Sequence, residues 1–185
     1  TLSFIIIFFL IFTFNIATEP LYTWMGVPDF IKEFYDNMKL NPWSSFLTVV
    51  LFAPLFEELL CRGVILRGLL HHITPAKAIF WSALMFAVMH LNPWQALPAF
   101  MVGLLMGWIY WKTGSLLATI FIHFVNNGFS FMITLLFPDM GADATFSSLM
   151  PFNQYIILYV FFFFFTIASL WYLKSNYEKS VSTEV

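Results

Sequence analysis

Two adjacent carboxylates and a guanidinium stand inside an apolar run, in the stretch Phe56-Glu57-Glu58-Leu59-Leu60-Cys61-Arg62. The run begins at Trp43 and continues to Leu70. An ionised side chain near the middle of a bilayer costs about 2.5–3.5 kcal/mol on insertion scales, so three together need a reason. On a helix Glu58 and Arg62 are i,i+4 neighbours and can form an ion pair. Glu57 is turned by about 100° from Glu58 and points elsewhere. One carboxylate therefore reads as neutralised and structural, and the other as free for chemistry. Two more polar groups interrupt apolar stretches. Phe86-Ala87-Val88-Met89-His90 is one, and His123-Phe124-Val125-Asn126-Asn127 is the other. His123 and Asn127 are i,i+4 and share a helix face.

A free carboxylate beside a neutral imidazole can hold and deprotonate a water. A second imidazole and a carboxamide are donors that can stabilise the oxyanion of a tetrahedral intermediate. Together these groups can hydrolyse an amide bond without a serine, cysteine or aspartate dyad. Other readings of the same residues exist. Glu57, Glu58 and Arg62 also suit a buried packing network or a proton-coupled transport site. His123 and Asn127 also suit hydrogen-bonding glue between helices. Glu57, His90 and His123 offer two imidazoles and a carboxylate, a ligand set that suits catalytic zinc. No HExxH helix accompanies them and they come from three separate helices, so the reading favours no metal and no other cofactor. Cys61 lies beside the cluster and reads as a small packing residue rather than a nucleophile.

The elements that must position these groups are apolar helices. The 185 residues are 61% hydrophobic, 21% aromatic and 10% charged, with a mean hydropathy of +0.83. A soluble domain is nearer a quarter charged. The expected fold class is all-α: a polytopic transmembrane helical bundle of about six membrane helices plus one interfacial amphipathic helix, forming a single domain over residues 1–185. The net charge of −2 points away from nucleic acid. The single cysteine excludes an internal disulfide. No basic segment precedes the first apolar stretch, so a signal peptide is not expected.

Membrane helices are expected over Leu2–Ala17, from about Trp43 to His72, and over Ala76–His90, Pro93–Lys112, Ser115–Phe137 and Pro151–Leu173. Asp29–Lys39 alternates charges with Phe30, Ile31, Phe34, Tyr35 and Met38, as an interfacial helix does. Gly103 and Gly107 form a GxxxG close-packing face. Arg67, Lys77, Lys112, Lys174 and Lys179 mark one side, which the positive-inside rule makes cytoplasmic, together with both termini. With a rise of about 1.5 Å per residue, Glu57 lies roughly 22 Å above His72, and His90 roughly 20 Å above Lys77. His123 and Asn127 lie roughly 16 and 22 Å above Lys112. Four polar side chains from three helices thus fall in one slab, and polar groups in lipid collect in a bundle interior. The sequence argues for one site.

In order and spacing, Glu57-Glu58-x-x-x-Arg62, Phe86-x-x-x-His90 and His123-x-x-x-Asn127 resemble the three motifs of the CAAX-protease and bacteriocin-processing intramembrane proteases. The type II CAAX prenyl endopeptidases are members of that family. The resemblance covers roughly residues 43–137. It implies an intramembrane endopeptidase, with Glu57 as the base that activates water, His90 as its partner, Glu58 and Arg62 as a structural pair, and His123 and Asn127 as the oxyanion hole. It also implies a peptide or protein substrate, prenylated in the case of the prenyl endopeptidases, and a multi-pass protein of a bacterial-type plasma membrane. The family is often labelled metal-dependent, and a metal-free glutamate mechanism has also been put forward for it. A non-enzymatic membrane protein, either a bacteriocin-immunity factor or a proton-coupled carrier, is the alternative.

Overall fold

The computed structural model describes residues 2–141 and 144–177. Lys179, one of the basic residues used for orientation, lies outside the described residues, as does most of the polar tail. The described chain is helical, with no strand among these residues. Helix α1 is Leu2–Thr18, α2 is Asp29–Leu40, and α3 runs unbroken over residues 42–70. The rest are α4 (Pro75–Val88), α5 (Pro93–Thr113), α6 (Leu116–Leu136) and α7 (Phe152–Asn176). Three segments, Leu2–Leu21, Leu116–Leu136 and Phe152–Asn176, are long and apolar enough by themselves to cross a membrane. The bundle is that of a helical membrane protein.

The core explains the order of packing. Ile7, Leu10 and Ile11 of α1 meet Val102, Met106 and Ile109 of α5, Ile122 of α6 and Leu173 of α7 in one buried cluster. Helices α4 and α5 pack closely because Gly103 and Gly107 lack side chains there. A Cβ on Gly103 would stand 3.2 Å from the backbone and Cβ of Ala83, and one on Gly107 would stand 3.2 Å from Ile79. The GxxxG face thus has a defined partner, α4. Helix α2 lays Ile31 and Met38 inward, and Met38 packs with Val50 of α3 and Phe131 of α6. Phe161, Phe163, Phe164 and Phe165 of α7 stay exposed on the outer wall, where lipid would cover them.

Helix α3 is not a regular α-helix. Phe46–Phe52 and Leu59–Leu66 have the wider π register, and the Ala53–Glu58 stretch between them is α-helical. The first widening has a sequence cause. Pro54 has no N–H and its ring would meet the carbonyl of residue 50 in a regular helix. Ala53 accordingly donates five residues back, to the Thr48 carbonyl. π-Turns inside helices are common at functional sites. Here the two glutamates close the short α-helical stretch between two such distortions.

Candidate active site

Arg62 and Glu58 are both fully buried, and Arg62 Nη1 lies 2.7 Å from Glu58 Oε1. The i,i+4 spacing survives the π register because the pair straddles its start. Arg62 Nη2 also donates to the Gly103 carbonyl at 2.9 Å. Gly103 therefore does two jobs: it admits α4, and its carbonyl receives the guanidinium. The Arg62 guanidinium lies over the Phe86 ring, 4.7 Å from its centre. A buried charge pair needs such extra partners to offset desolvation.

The Glu57 side chain is 25% exposed, against 0% for Glu58. The difference follows from one step of helical rotation. His123 reaches across from α6 to both carboxylates. Its Nδ1 lies 3.0 Å from Glu58 Oε1, and its Nε2 lies 3.7 Å from Glu57 Oε2. Glu58 is an acceptor held by Arg62, so His123 Nδ1 carries the proton and donates it. The opposite nitrogen, Nε2, then faces the free carboxylate. One proton on that axis, on Nε2 or on Glu57, turns two facing lone pairs into an attraction.

His90 enters by another route. The end of α4 tightens, so the His90 backbone N–H donates to the Ala87 carbonyl rather than four residues back. That frees the Phe86 carbonyl, which lies 2.9 Å from His90 Nδ1. A carbonyl only accepts, so Nδ1 is the protonated nitrogen and Nε2 keeps a free lone pair. The turn that follows holds His90 in place. Leu91 adopts a left-handed conformation with φ of 56°. Asn92 donates to the His90 carbonyl at 2.8 Å and accepts the Gln95 N–H at 2.8 Å, capping the start of α5.

The Phe86 ring joins these parts. It stands edge-to-face with His90 at 5.0 Å and with His123 at 5.4 Å, between ring centres. Both imidazoles and the guanidinium thus rest on one phenyl ring. The imidazole nearest Glu57 is His123. No ion pair joins Glu57 to His90 among the described residues, because the bond to Phe86 draws the His90 ring back along its own helix. Asn127 turns its amide to α3 and donates to the Val49 carbonyl at 3.0 Å. Asn126 donates to Asn127 Oδ1 at 3.3 Å, and Asn15 of α1 donates to Asn126 Oδ1 at 2.7 Å.

Arg62, Glu58, His123 and Glu57 therefore form one series of polar contacts, in which His123 links the locked carboxylate to the open one. His90 is linked to them through Phe86, and Asn127 through the backbone of α3. Among the described residues, no three His, Cys, Asp or Glu side chains are grouped as a metal ion requires. A zinc ion needs its donors about 2.0–2.2 Å away on all sides. Glu57, His90 and His123 do not form that set, so no metal-bound step is derived. Cys61 is buried, with its sulfur 3.8 Å from Met89 Sδ, as a packing residue.

Sequence reasoning missed Phe86 as a hub, Asn92 as a double cap, and the Asn15–Asn126 link. Asn15 was open to detection: it is a carboxamide inside the otherwise apolar helix LSFIIIFFLIFTFNIAT. A cavity of about 650 Å³ lies between α1, α2, α6 and the segment after α6, lined by Asn15, Glu19, Tyr35, Trp94, Phe129 and Phe146. Of the groups just described, only Asn15 lines it.

Residues 39–129, about half of the chain, match the family model for type II CAAX prenyl endopeptidase Rce1-like proteins. The match spans all three motifs, from Glu57 to Asn127, and leaves out α1 and α7. No curated protein and no solved structure matches the chain.

Proposed function

Because the chain belongs to the Rce1-like family of type II CAAX prenyl endopeptidases, an intramembrane protease family, we propose that it cleaves a peptide bond with a water activated by Glu57. The observation that carries this is the asymmetry of the two glutamates. Glu58 is locked to Arg62 at 2.7 Å, while Glu57 is part-open and faces His123 Nε2. A base must be unspent and reachable, and Glu57 is both.

In the proposed reaction Glu57 takes a proton from water, and the water oxygen attacks the scissile carbonyl carbon. The His90 Nε2 lone pair is the second acceptor that orients the water. The tetrahedral oxyanion is met by donors from α6: His123 Nε2–H in the imidazolium form, which Glu58 stabilises from the other side, and the second N–H of Asn127. The C–N bond then breaks, and the proton held by Glu57 passes to the leaving amine nitrogen. With Arg62 and a protonated His123, two cations balance two carboxylates, so the cluster is neutral overall, as a low-dielectric site prefers.

We place the protein in the membrane as a multi-pass bundle of six spans, α1 and α3 to α7, with α2 in the interface. A bacterial-type plasma membrane and a prenylated peptide substrate belong to the same proposal. The test is a cleavage assay on purified protein with prenylated and unprenylated peptides of one sequence. Glu57→Gln is expected to lower kcat by roughly 10²–10⁴-fold, the contribution of a positioned base. Full activity in that variant removes Glu57 from the scheme, and equal cleavage of both peptides removes the prenyl group from recognition.

A further inference from the structure

Three carboxamides in a row connect α1 to the helix that bears the glutamates. Asn15 Nδ2 donates to Asn126 Oδ1, Asn126 Nδ2 to Asn127 Oδ1, and Asn127 Nδ2 to the Val49 carbonyl. The last acceptor fixes the direction of the whole chain. Val49 offers an oxygen, so Asn127 must present its NH2 there. Its Oδ1 is then the acceptor for Asn126, and by the same logic Asn126 Oδ1 receives Asn15. Bonds in such a head-to-tail row strengthen one another.

The Val49 carbonyl needs a donor from outside its helix. In the π register of Phe46–Phe52 its partner would be five residues on, at position 54. That residue is Pro54, which has no N–H. The residue before it, Ala53, already donates to Thr48. A backbone carbonyl without a partner in a bilayer costs several kcal/mol. Asn127 supplies the donor, and Asn15 and Asn126 hold Asn127 in the orientation that does so. The register matters for chemistry. A slip of one residue at the π-to-α junction would turn Glu57 by about 100°, away from His123 Nε2.

We infer that Asn15, on a helix outside the family match, is a positioning residue for the site: through Asn126 and Asn127 it holds the Val49 carbonyl left without a donor by Pro54, and so fixes the rotation of Glu57. Its catalytic part rests on the endopeptidase reading; its structural part does not.

Two measurements on the full chain in detergent micelles test it. The first is kcat and KM for Asn15→Leu, expected to show kcat down by roughly ten- to a hundredfold, as for a misplaced group, with KM within about twofold. The second is amide hydrogen exchange over residues 49–57 in a double-mutant cycle of Asn15→Leu and Pro54→Ala. Asn15→Leu is expected to speed exchange there in the Pro54 background. It is expected to do little in the Pro54→Ala background, where Val49 gains a helical donor in either register: the restored N–H of residue 54 in the π register, or the Ala53 N–H in the α register. A simple packing role for Asn15 would speed exchange equally in both backgrounds, and that result overturns the inference. Wild-type kcat in Asn15→Leu overturns it too, with the endopeptidase reading intact. If the wild type cleaves no peptide, the endopeptidase reading fails, and the exchange cycle still decides the relay.

Discussion

The buried carboxylate Glu58 takes two hydrogen bonds on one oxygen, from Arg62 at 2.7 Å and His123 at 3.0 Å. Removing Arg62 would leave that charge in the bundle with only an imidazole against it. Arg62→Met is therefore expected to destabilise the fold by about 3–5 kcal/mol, the range for a broken buried pair. Glu58→Gln combined with Arg62→Met leaves no unpaired charge and is expected to cost clearly less. Unfolding of detergent-solubilised protein by SDS titration measures both. Phe86 makes a separate prediction at this scale. Its ring carries Arg62, His90 and His123 at once. Phe86→Leu keeps most of the apolar volume but removes the flat face, so kcat is expected to fall about tenfold while the thermal midpoint in detergent drops only modestly.

Among the elements, the α4–α5 contact is the tightest constraint on the site. Gly103 meets Ala83 and Phe86 at 3.2 Å for an added Cβ. Gly103→Ala forces α5 off α4 or Phe86 out of place, and is expected to cost about 1–3 kcal/mol, the range for overpacking. The same shift draws the Gly103 carbonyl from Arg62, so activity is expected to fall further than stability explains. The turn between these helices gives a prediction of opposite sign. Leu91 is held at φ 56°, where an L-residue bears about 1–2 kcal/mol of strain, and it is 90% exposed. Leu91→Gly is expected to keep or raise the thermal midpoint and to leave His90 in place, since Asn92 still caps both neighbours.

For the whole molecule, the protein is membrane-embedded, and its outer wall is where a charge should hurt most. Phe164 in the middle of α7 is 64% exposed. Phe164→Lys is expected to raise the insertion free energy of that helix by about 2.5–3.5 kcal/mol, measured by a glycosylation-mapping insertion assay. A partner-free aqueous face there would give no change and would contradict the bundle's placement in lipid.

The helix bounds and the Glu58–Arg62 ion pair were legible in the sequence, because each depends on spacing along one helix. Apolar runs broken at Glu19-Pro20, Asn92-Pro93 and Thr113-Gly114 delimit helices, and an i,i+4 pair such as Glu58 and Arg62 meets wherever its helix lies. Rotation and depth between helices are not written in that spacing. They are set by packing, by which glycine admits which neighbour, and by where a proline widens the register. That is why tertiary structure alone decided that His123, not His90, faces Glu57, that Phe86 is the shared surface, and that Asn127 turns to Val49. It also joined Asn15 of α1 to Asn126, a partner that a lone carboxamide in an apolar helix does not name. The physical reason is that a carbonyl stripped of its helical donor must find one across the bundle, and only the packed fold determines which side chain arrives.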